Sequence, residues 1–313
     1  MSIVRLVLLL IPILFFASCK KDADSETTFV PTLSPGCSNI DFQHRVVEQT
    51  VLLDGITSSV STYTYVADSI SNVRVLAFGN FSTTDSIITT YNDEDGERVG
   101  IANTYSNGQA STSRYSFSAV NGLRTSRVRE SFTNGEYIVR NEESNQYSGD
   151  CFSNSTIVVY FPDGEENYTR DFELFFYSNG RDSLITTQQF ASNGISSTVY
   201  FIREASGTVV NYRGFVKVNG SEDFVEASKF RLTFNGDKLS TKEEIYLDDA
   251  GNESLAYLTS YIYNADGLVE SEVYTSTAGS VRTTFYQYES GSGDYRVLYG
   301  SPDHDFYDEP IIP

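Results

Sequence analysis

The chain is punctuated by turn glycines at a nearly constant interval. From Gly96 to Gly291, fifteen of them recur about every 14 residues, the period of a structural repeat. Many follow Asn or Asp and close a short polar stretch that begins with an aromatic residue, as in Tyr105-Ser-Asn-Gly108 and Tyr263-Asn-Ala-Asp-Gly267. Asn-Gly and Asp-Gly tolerate positive φ and favour tight hairpins. A strand of about 8–10 residues and a turn of about 4–5 fill the period, which predicts roughly 17–18 short antiparallel strands.

Side-chain alternation supports the same architecture. Apolar residues recur with period two, the signature of a half-buried strand, and the 22 Tyr and 21 Phe suit a pleated surface. No window keeps a 3.6-residue period, so we expect no significant helix after the first 18 residues. The sets predicted to share a face are Phe230, Leu232 and Phe234; Leu255, Tyr257, Tyr261 and Tyr263; and Ile157, Val159 and Phe161.

The predicted fold class is all-β, a long antiparallel meander that forms a curled or layered repeat sheet. A sheet of this size has to curl, fold into two layers or close as a barrel to cover its aromatic face. Because repeat units contact mainly their neighbours, an open sheet would confine structural damage to a few strands. Transmembrane barrels pair short turns with long outer loops. The connections here are uniformly short, which argues against a membrane-spanning barrel.

Individual turns resemble a known repeat. Segments such as Tyr261-Ile-Tyr-Asn-Ala-Asp-Gly-Leu268 and Phe175-Phe-Tyr-Ser-Asn-Gly-Arg181 look like the tyrosine-rich YD repeats of RHS-type proteins. The resemblance covers about two-thirds of the chain, turn by turn. It implies a long curling β-sheet, which in some members of that family closes into a shell.

The first 19 residues resemble a bacterial lipoprotein signal. Arg5 precedes an apolar run from Leu6 to Phe16; this run is too short for a span of about 20 residues. The segment Phe16-Ala-Ser-Cys19 looks like a lipobox, in which Cys19 receives the lipid after cleavage at residue 18. Several acyl chains on one Cys give stable membrane attachment.

Four segments follow from these patterns. Residues 1–18 are predicted as the signal peptide, 19–36 as a flexible tether, 37–300 as the β-hairpin repeat domain and 301–313 as an acidic tail. The stretch Lys20-Lys-Asp-Ala-Asp-Ser-Glu26 resembles the surface-export signal of Bacteroidota lipoproteins. The expected location is therefore the bacterial outer membrane, lipid-anchored and facing the cell exterior.

Two further cysteines, Cys37 and Cys151, are predicted to form a disulfide, as is usual in an exported protein. The alternative is two separate buried thiols. In the chain-entropy model, a bond closing this loop stabilises the fold by about 4–5 kcal/mol.

Chemical signatures are scarce. The only histidines, His44 and His304, lie near opposite ends of the chain, and no nucleophile elbow or phosphate-binding loop is present. The acidic stretches 92–97 and 248–251 lack EF-hand spacing and are interpreted as hairpin turns. We therefore expect no catalytic residues, no cofactor and no metal site. A net charge of −20 argues against nucleic-acid partners.

Three functions remain open. The first is a non-catalytic surface scaffold for adhesion, assembly or ligand binding, tethered to the membrane by its lipid. The second is a glycan-binding accessory lipoprotein that stacks sugars on tyrosine, and the third, less favoured, is a hydrolase. A smooth Ser/Thr-rich outer face would favour the scaffold, solvent-facing tyrosines the binder, and a cleft of carboxylates the enzyme.

Overall fold

The described part of the chain is one closed antiparallel barrel of 18 strands. A computed structural model describes residues 43–67, 69–78, 84–94, 97–106, 109–120, 123–148, 151–176, 182–190, 196–218, 223–248 and 250–291. The strands are β1 His44–Leu53, β2 Ile56–Val66, β3 Ser69–Phe78, β4 Thr84–Glu94, β5 Glu97–Ser106, β6 Gln109–Val120, β7 Leu123–Thr133, β8 Glu136–Ser148, β9 Cys151–Tyr160, β10 Glu166–Phe176, β11 Asp182–Phe190, β12 Ser196–Ser206, β13 Val209–Val218, β14 Val225–Asn235, β15 Lys238–Leu247, β16 Glu253–Tyr263, β17 Val269–Ser276 and β18 Val281–Ser290.

Every strand pairs with its sequence neighbours, and β1 also pairs with β18. The prediction of an all-β meander of 17–18 strands is confirmed, and no helix occurs in the described ranges. The expectation of a curled or layered repeat sheet is wrong, because the first and last strands hydrogen-bond to each other. An open meander would leave unpaired backbone N–H and C=O groups along its first and last strands. A closed sheet has no such edge.

Ring closure is secured at both ends of β1. At one end, Arg45 forms an ion pair with Glu289 at 2.7 Å, and the Gly291 N–H donates to the carbonyl of Gln43. At the other end, the Asp54 N–H donates to the Val281 carbonyl, and the Val281 N–H donates to the Asp54 carboxylate at 2.8 Å. These contacts join residues more than 220 positions apart, so the barrel closes only when the whole meander has formed.

The turns have the geometry that the sequence predicts. Asn264 is representative: its side-chain oxygen accepts from the N–H groups of Asp266 and Leu268, and its carbonyl accepts from Gly267. Gly267 has φ +86°, as predicted, a conformation that a Cβ would strain. Asp248 occupies the same position in the β15–β16 turn, where Ala250 and Asn252 donate to its carboxylate. The other predicted turn glycine, Gly180, lies outside the described residues.

The wall has two faces, assigned by register. Phe230, Leu232 and Phe234 point into the barrel, and Arg231 and Thr233 point out, as the alternation predicts. Ile157 and Val159 also point inward, while Phe161 lies after the end of β9 and is 39% exposed.

One same-face prediction is wrong at Leu255. Tyr257, Tyr261 and Tyr263 share the inward face, but the register shifts between Glu244 and Ile245, so that Leu255 pairs with Ile245 and faces outward, 44% exposed. Ala256 is the extra residue of this β-bulge. An extra residue reverses the alternation that follows it, and simple period-two reasoning does not detect it.

Six bulges form a ring around one end of the barrel, where β1 begins and β18 ends. We call this the closed end, because the interior is packed there, and the opposite end the open end. Each of these six bulges lies at the start of an odd-numbered strand, and the extra residues are Val47, Ser71, Thr125, Ser153, Ser240 and Glu270. Five further bulges lie at the opposite end, at the starts of even-numbered strands, with extra residues Ser58, Arg140, Asn167, Ala227 and Ala256. Bulges bend strands and increase their twist.

Tyrosine hydroxyls bind carbonyls that lie beside these bulges. Four inward tyrosines near the ends of β2, β8, β16 and β18 donate to the residue that precedes an extra residue, at 2.7–3.1 Å. The pairs are Tyr65–Val46, Tyr147–Arg124, Tyr263–Leu239 and Tyr288–Val269. At a fifth bulge, the Arg98 guanidinium donates to the Ile70 carbonyl. Because a buried carbonyl without a partner is costly, this recurring contact explains why these positions hold Tyr rather than Phe.

Because the barrel is closed, strain in one turn should affect the whole ring. Gly267→Val places a Cβ at φ +86°, at a cost of about 1–3 kcal/mol. Amides that exchange through global opening should then exchange about 5–150-fold faster in β1 and β10 as well as in β16 and β17. Hydrogen exchange with mass spectrometry measures this. Acceleration confined to β16 and β17 would contradict a cooperative closed barrel.

Candidate functional site

The barrel interior is packed at the closed end and accessible at the other. On β4, inward Tyr91 near the closed end is 5% exposed, whereas inward Ile87 near the open end is 38% exposed. On β6, Phe117 is buried and Ser111, six residues nearer the open end, is exposed. The same gradient runs along β13, from Val210 at 0% exposure toward less buried positions. The interior is therefore a cup rather than a pore through the described wall.

Two aromatic clusters make the floor of this cup. The larger one comes from β9, β10 and β13–β15, and thus spans the lumen, because β11 and β12 separate these strands in the wall. Its buried members are Phe152, Phe172, Val210, Tyr212, Leu232, Phe234 and Leu239. The smaller one joins Ile70, Val73, Tyr91 and Phe117. Barrels of 16–18 strands commonly leave an aqueous channel, and here large side chains fill one end.

The wall of the cup is rich in tyrosine. Of the 22 tyrosines in the chain, 14 occupy inward positions in the described strands. In the open half, Tyr257 and Tyr274 stack with ring centroids 5.0 Å apart, and the Arg282 guanidinium lies 4.8 Å from the Tyr274 ring. The inward tyrosines are Tyr63, Tyr65, Tyr91, Tyr115, Tyr147, Tyr168, Tyr212, Tyr246, Tyr257, Tyr261, Tyr263, Tyr274, Tyr286 and Tyr288.

An ion cluster is built into the wall on β7 and β8. Glu143 is buried and accepts from Arg124 at 2.6 Å, from Arg127 at 2.7 Å and from the Asn145 amide at 2.8 Å. Asn145 also donates to the Arg124 carbonyl at 3.0 Å. A buried carboxylate persists only when it is paired and hydrogen-bonded, and here two guanidinium groups and one amide satisfy it.

The cations in this cluster outnumber the acid. Burial lowers the pKa of Arg127, Glu143 opposes that effect, and the neighbouring Arg124 and Arg129 lower the pKa further. The Arg129 side chain is exposed, and its guanidinium lies 5.9 Å from the Tyr115 ring. The wall thus presents positive charge to the open half of the cup.

The outward face carries ion pairs beside exposed apolar side chains such as Phe132, Ile262 and Phe285. Arg213 pairs with Glu226 at 2.6 Å, and Arg231 pairs with Glu243 at 2.8 Å. Hydrogen bonding to Arg213 lowers the pKa of Glu226. On a lipid-facing barrel surface, a charged Arg or Lys at mid-height costs about 2–4 kcal/mol. The wall around Arg213 and Arg231 is therefore suited to water. Separately, none of the described segments is a helix long and apolar enough to cross a membrane.

The predicted modification sites lie mostly outside the described residues. Cys19 and Cys37 are among these, as are the signal peptide, the tether and the acidic tail. Cys151 begins β9 at the closed end; its pairing with Cys37 stays a prediction. His44 begins β1, and His304 is not described. The described residues contain no group of three or more His, Cys, Asp or Glu side chains placed to hold a metal ion. The carboxylate of Asp248 is engaged by its own turn.

Sequence reasoning missed the inward arginines. Strand β7 contains three of them, Arg124, Arg127 and Arg129. Strict alternation places Arg124 and Arg127 on opposite faces, but the bulge at Thr125 brings them to the same face. The detectable signal was a cluster of arginines in a chain of net charge −20.

The tyrosine–carbonyl contact should make stability depend on alkaline pH. Burial, and then Glu272 and Asp237, raise the pKa of Tyr263 to about 12. A raised pKa contributes stability that is complete below the unfolded value near 10 and is lost as pH rises toward 12. Tyr263→Phe should cost about 1 kcal/mol at pH 8. By pH 11 wild type should lose about 1 kcal/mol more than the variant.

Urea midpoints at pH 8 and pH 11 measure this difference. Tyr105→Phe, on the outward exposed face, is the matched control and should differ little from wild type at either pH. An unchanged gap between wild type and Tyr263→Phe would contradict the assignment.

No family model and no curated protein matches the chain. Among solved structures, a porin-like protein from Bacteroides uniformis is similar with a TM-score of 0.39 and 12% identity, over 78% of this chain and 98% of that one.

Proposed function

We propose that this protein is a lipid-anchored, non-catalytic binding protein of the bacterial outer membrane, with a ligand-binding cup that opens away from the membrane. The observation that carries the proposal is the difference between the closed and the open end of the barrel. Both ends of the described chain, Gln43 and Gly291, lie at the closed end, joined by a hydrogen bond. A tether that leads from Cys19 to Gln43 therefore approaches the barrel from its closed end and leaves the open end facing outward.

Dimensions support this arrangement. Between Cys19 and Gln43 the tether has an r.m.s. reach of roughly 25–30 Å if it is flexible. Strands of 10–11 residues with ordinary tilt give a barrel roughly 25 Å tall. The open end would then stand tens of ångströms above the lipid surface. The outward ion pairs at Arg213 and Arg231 suit a barrel that stands in water.

The lining of the cup favours a glycan as ligand. Aromatic rings provide flat apolar surface with polar edges, and the half-buried Tyr257–Tyr274 pair lies in the open half beside Arg282. Most tyrosines of the described strands thus line the cup, while Tyr105 and Tyr137 are exposed on the outer wall. The scaffold function remains the second candidate, supported by the Ser- and Thr-rich outward positions of β2 and β6.

Lipid anchoring is tested at Cys19. Cys19→Ala should abolish labelling by fatty acid and move the protein from the detergent phase to the aqueous phase, because the thiol is the predicted acyl acceptor. Cys151→Ala is the matched control and should still partition with detergent. If Cys19→Ala remained in the detergent phase, the anchor would be elsewhere.

Ligand binding in the cup is tested by blocking its opening. Ser111 points inward near the open end and is exposed, whereas its neighbour Ala110 points outward. On an array of neutral and acidic oligosaccharides, Ser111→Trp should weaken binding at least 10-fold, and Ala110→Trp should bind as wild type does. Equal binding by both variants would place any glycan site outside the lumen.

A further inference from the structure

The wall from β5 to β10 carries an unusual excess of positive charge. Its described inward positions include five arginines and two acids. The arginines are Arg98, Arg124, Arg127, Arg129 and Arg170, and the acids are Glu143 and, at the open end of β8, Glu136. In a chain with 42 acidic and 22 basic residues, this concentration of arginine on one wall is not explained by composition. It indicates a surface that attracts anions.

Buried polar atoms on the same wall lack partners. They are Arg127 Nε, Asn141 Oδ1, Asn145 Oδ1 and Ser155 Oγ. Asn145 and Ser155 face each other across β8 and β9, and their side chains are 5% and 2% exposed. Each unsatisfied buried group is costly, and such groups in native proteins are usually met by water or a ligand. Four of them on three adjacent strands give this wall hydrogen-bonding capacity that its own protein contacts do not use.

The site has a definite order along the wall. Arg129 pairs in register with Asn141 and lies toward the open end; Arg127 pairs with Glu143 one step deeper. Asn145 and Ser155 lie deeper still. Arg129 and the partly exposed Arg127 are thus the first charged groups that a ligand meets, and the Tyr115 ring lies beside them, stacked with Phe117 at 6.3 Å.

The donor and acceptor types indicate the ligand class. The guanidinium groups donate and match an oxyanion. The amide oxygens of Asn141 and Asn145 accept, and a bare oxyanion has no hydrogen to donate to them. A ligand that combines a carboxylate with hydroxyl groups satisfies both. The apolar face of a sugar ring can also lie on Tyr115.

We infer that the β7–β9 wall of the cup is a subsite for an acidic sugar, with the carboxylate held by Arg127 and Arg129 and hydroxyl groups donated to Asn141. This inference rests on the proposed glycan-binding function and specifies its charge class. Glu143 keeps Arg127 in place through the buried ion pair, and Asn145 and Ser155 form the polar base of the subsite. The net positive charge of the wall disfavours cationic ligands.

The test is calorimetric titration of the intact lipid-free barrel with D-glucuronate, D-glucose, acetate and inorganic phosphate. Glucuronate should bind more tightly than any of the other three, and its affinity should fall as salt rises. Arg129→Gln should weaken glucuronate at least 10-fold. Arg114→Gln, which removes an outward arginine that pairs with Glu130, is the matched control and should leave the affinity unchanged.

A second variant separates the carboxylate from the hydroxyl contacts. Asn141→Leu should weaken glucuronate but leave acetate unaffected, because it removes only the acceptor. Equal urea midpoints for wild type and variants exclude unfolding as the cause. Acetate or phosphate binding as tightly as glucuronate would overturn the sugar assignment. If glucose bound as tightly as glucuronate, the preference for an acidic sugar would be overturned, but the proposal that the cup binds glycans would not. If Ser111→Trp leaves array binding unchanged, the proposed function fails independently.

Discussion

The barrel depends on hydrogen bonds from side chains to the backbone carbonyls at its closed end. Six bulges interrupt the ladder there, and each interruption leaves polar backbone groups that neighbouring strands do not satisfy. Tyrosine hydroxyls on β2, β8, β16 and β18 satisfy four carbonyls, and Arg98 satisfies a fifth. Five of the six bulges at this end therefore keep the carbonyl beside them hydrogen-bonded. Five further bulges lie at the open end, so the bulges alone do not make the two ends different.

The two ends differ in how their interior is packed, and this gives the interior its depth. At the closed end, aromatic side chains from β9, β10 and β13–β15 meet across the lumen and exclude water. Toward the open end, inward positions such as Ile87 and Ser111 become exposed. The packed floor supplies most of the apolar burial, so the open half is free to hold polar and charged groups that a core could not accept. A stable floor and a functional lining are thus separate parts of the same strands.

Local features of the fold could be predicted from the sequence, but closure and the site could not. Turn geometry is local, and Asn264 and Gly267 have the conformation that their residue types favour. Closure depends on the pairing of β1 with β18, which are more than 200 residues apart, and no local pattern encodes it. The face of Leu255 was predicted wrongly and the inward arginines were missed for one reason: a bulge changes side-chain parity without a distinctive residue type. Ala256 and Thr125 look ordinary in sequence.

The Arg124–Glu143–Arg127 cluster contributes both to the folded wall and to the lining of the cup. It contributes little to the stability of the fold, since desolvation of the three charges offsets much of their attraction. An apolar replacement of similar volume would close the wall equally well. What the cluster adds is a fixed direction for Arg127, which Glu143 holds at 2.7 Å while Arg129 stays exposed beside it. A site whose charged groups are held in place before the ligand arrives loses less conformational entropy on binding. The cost of burying these charges is therefore better explained by binding than by folding.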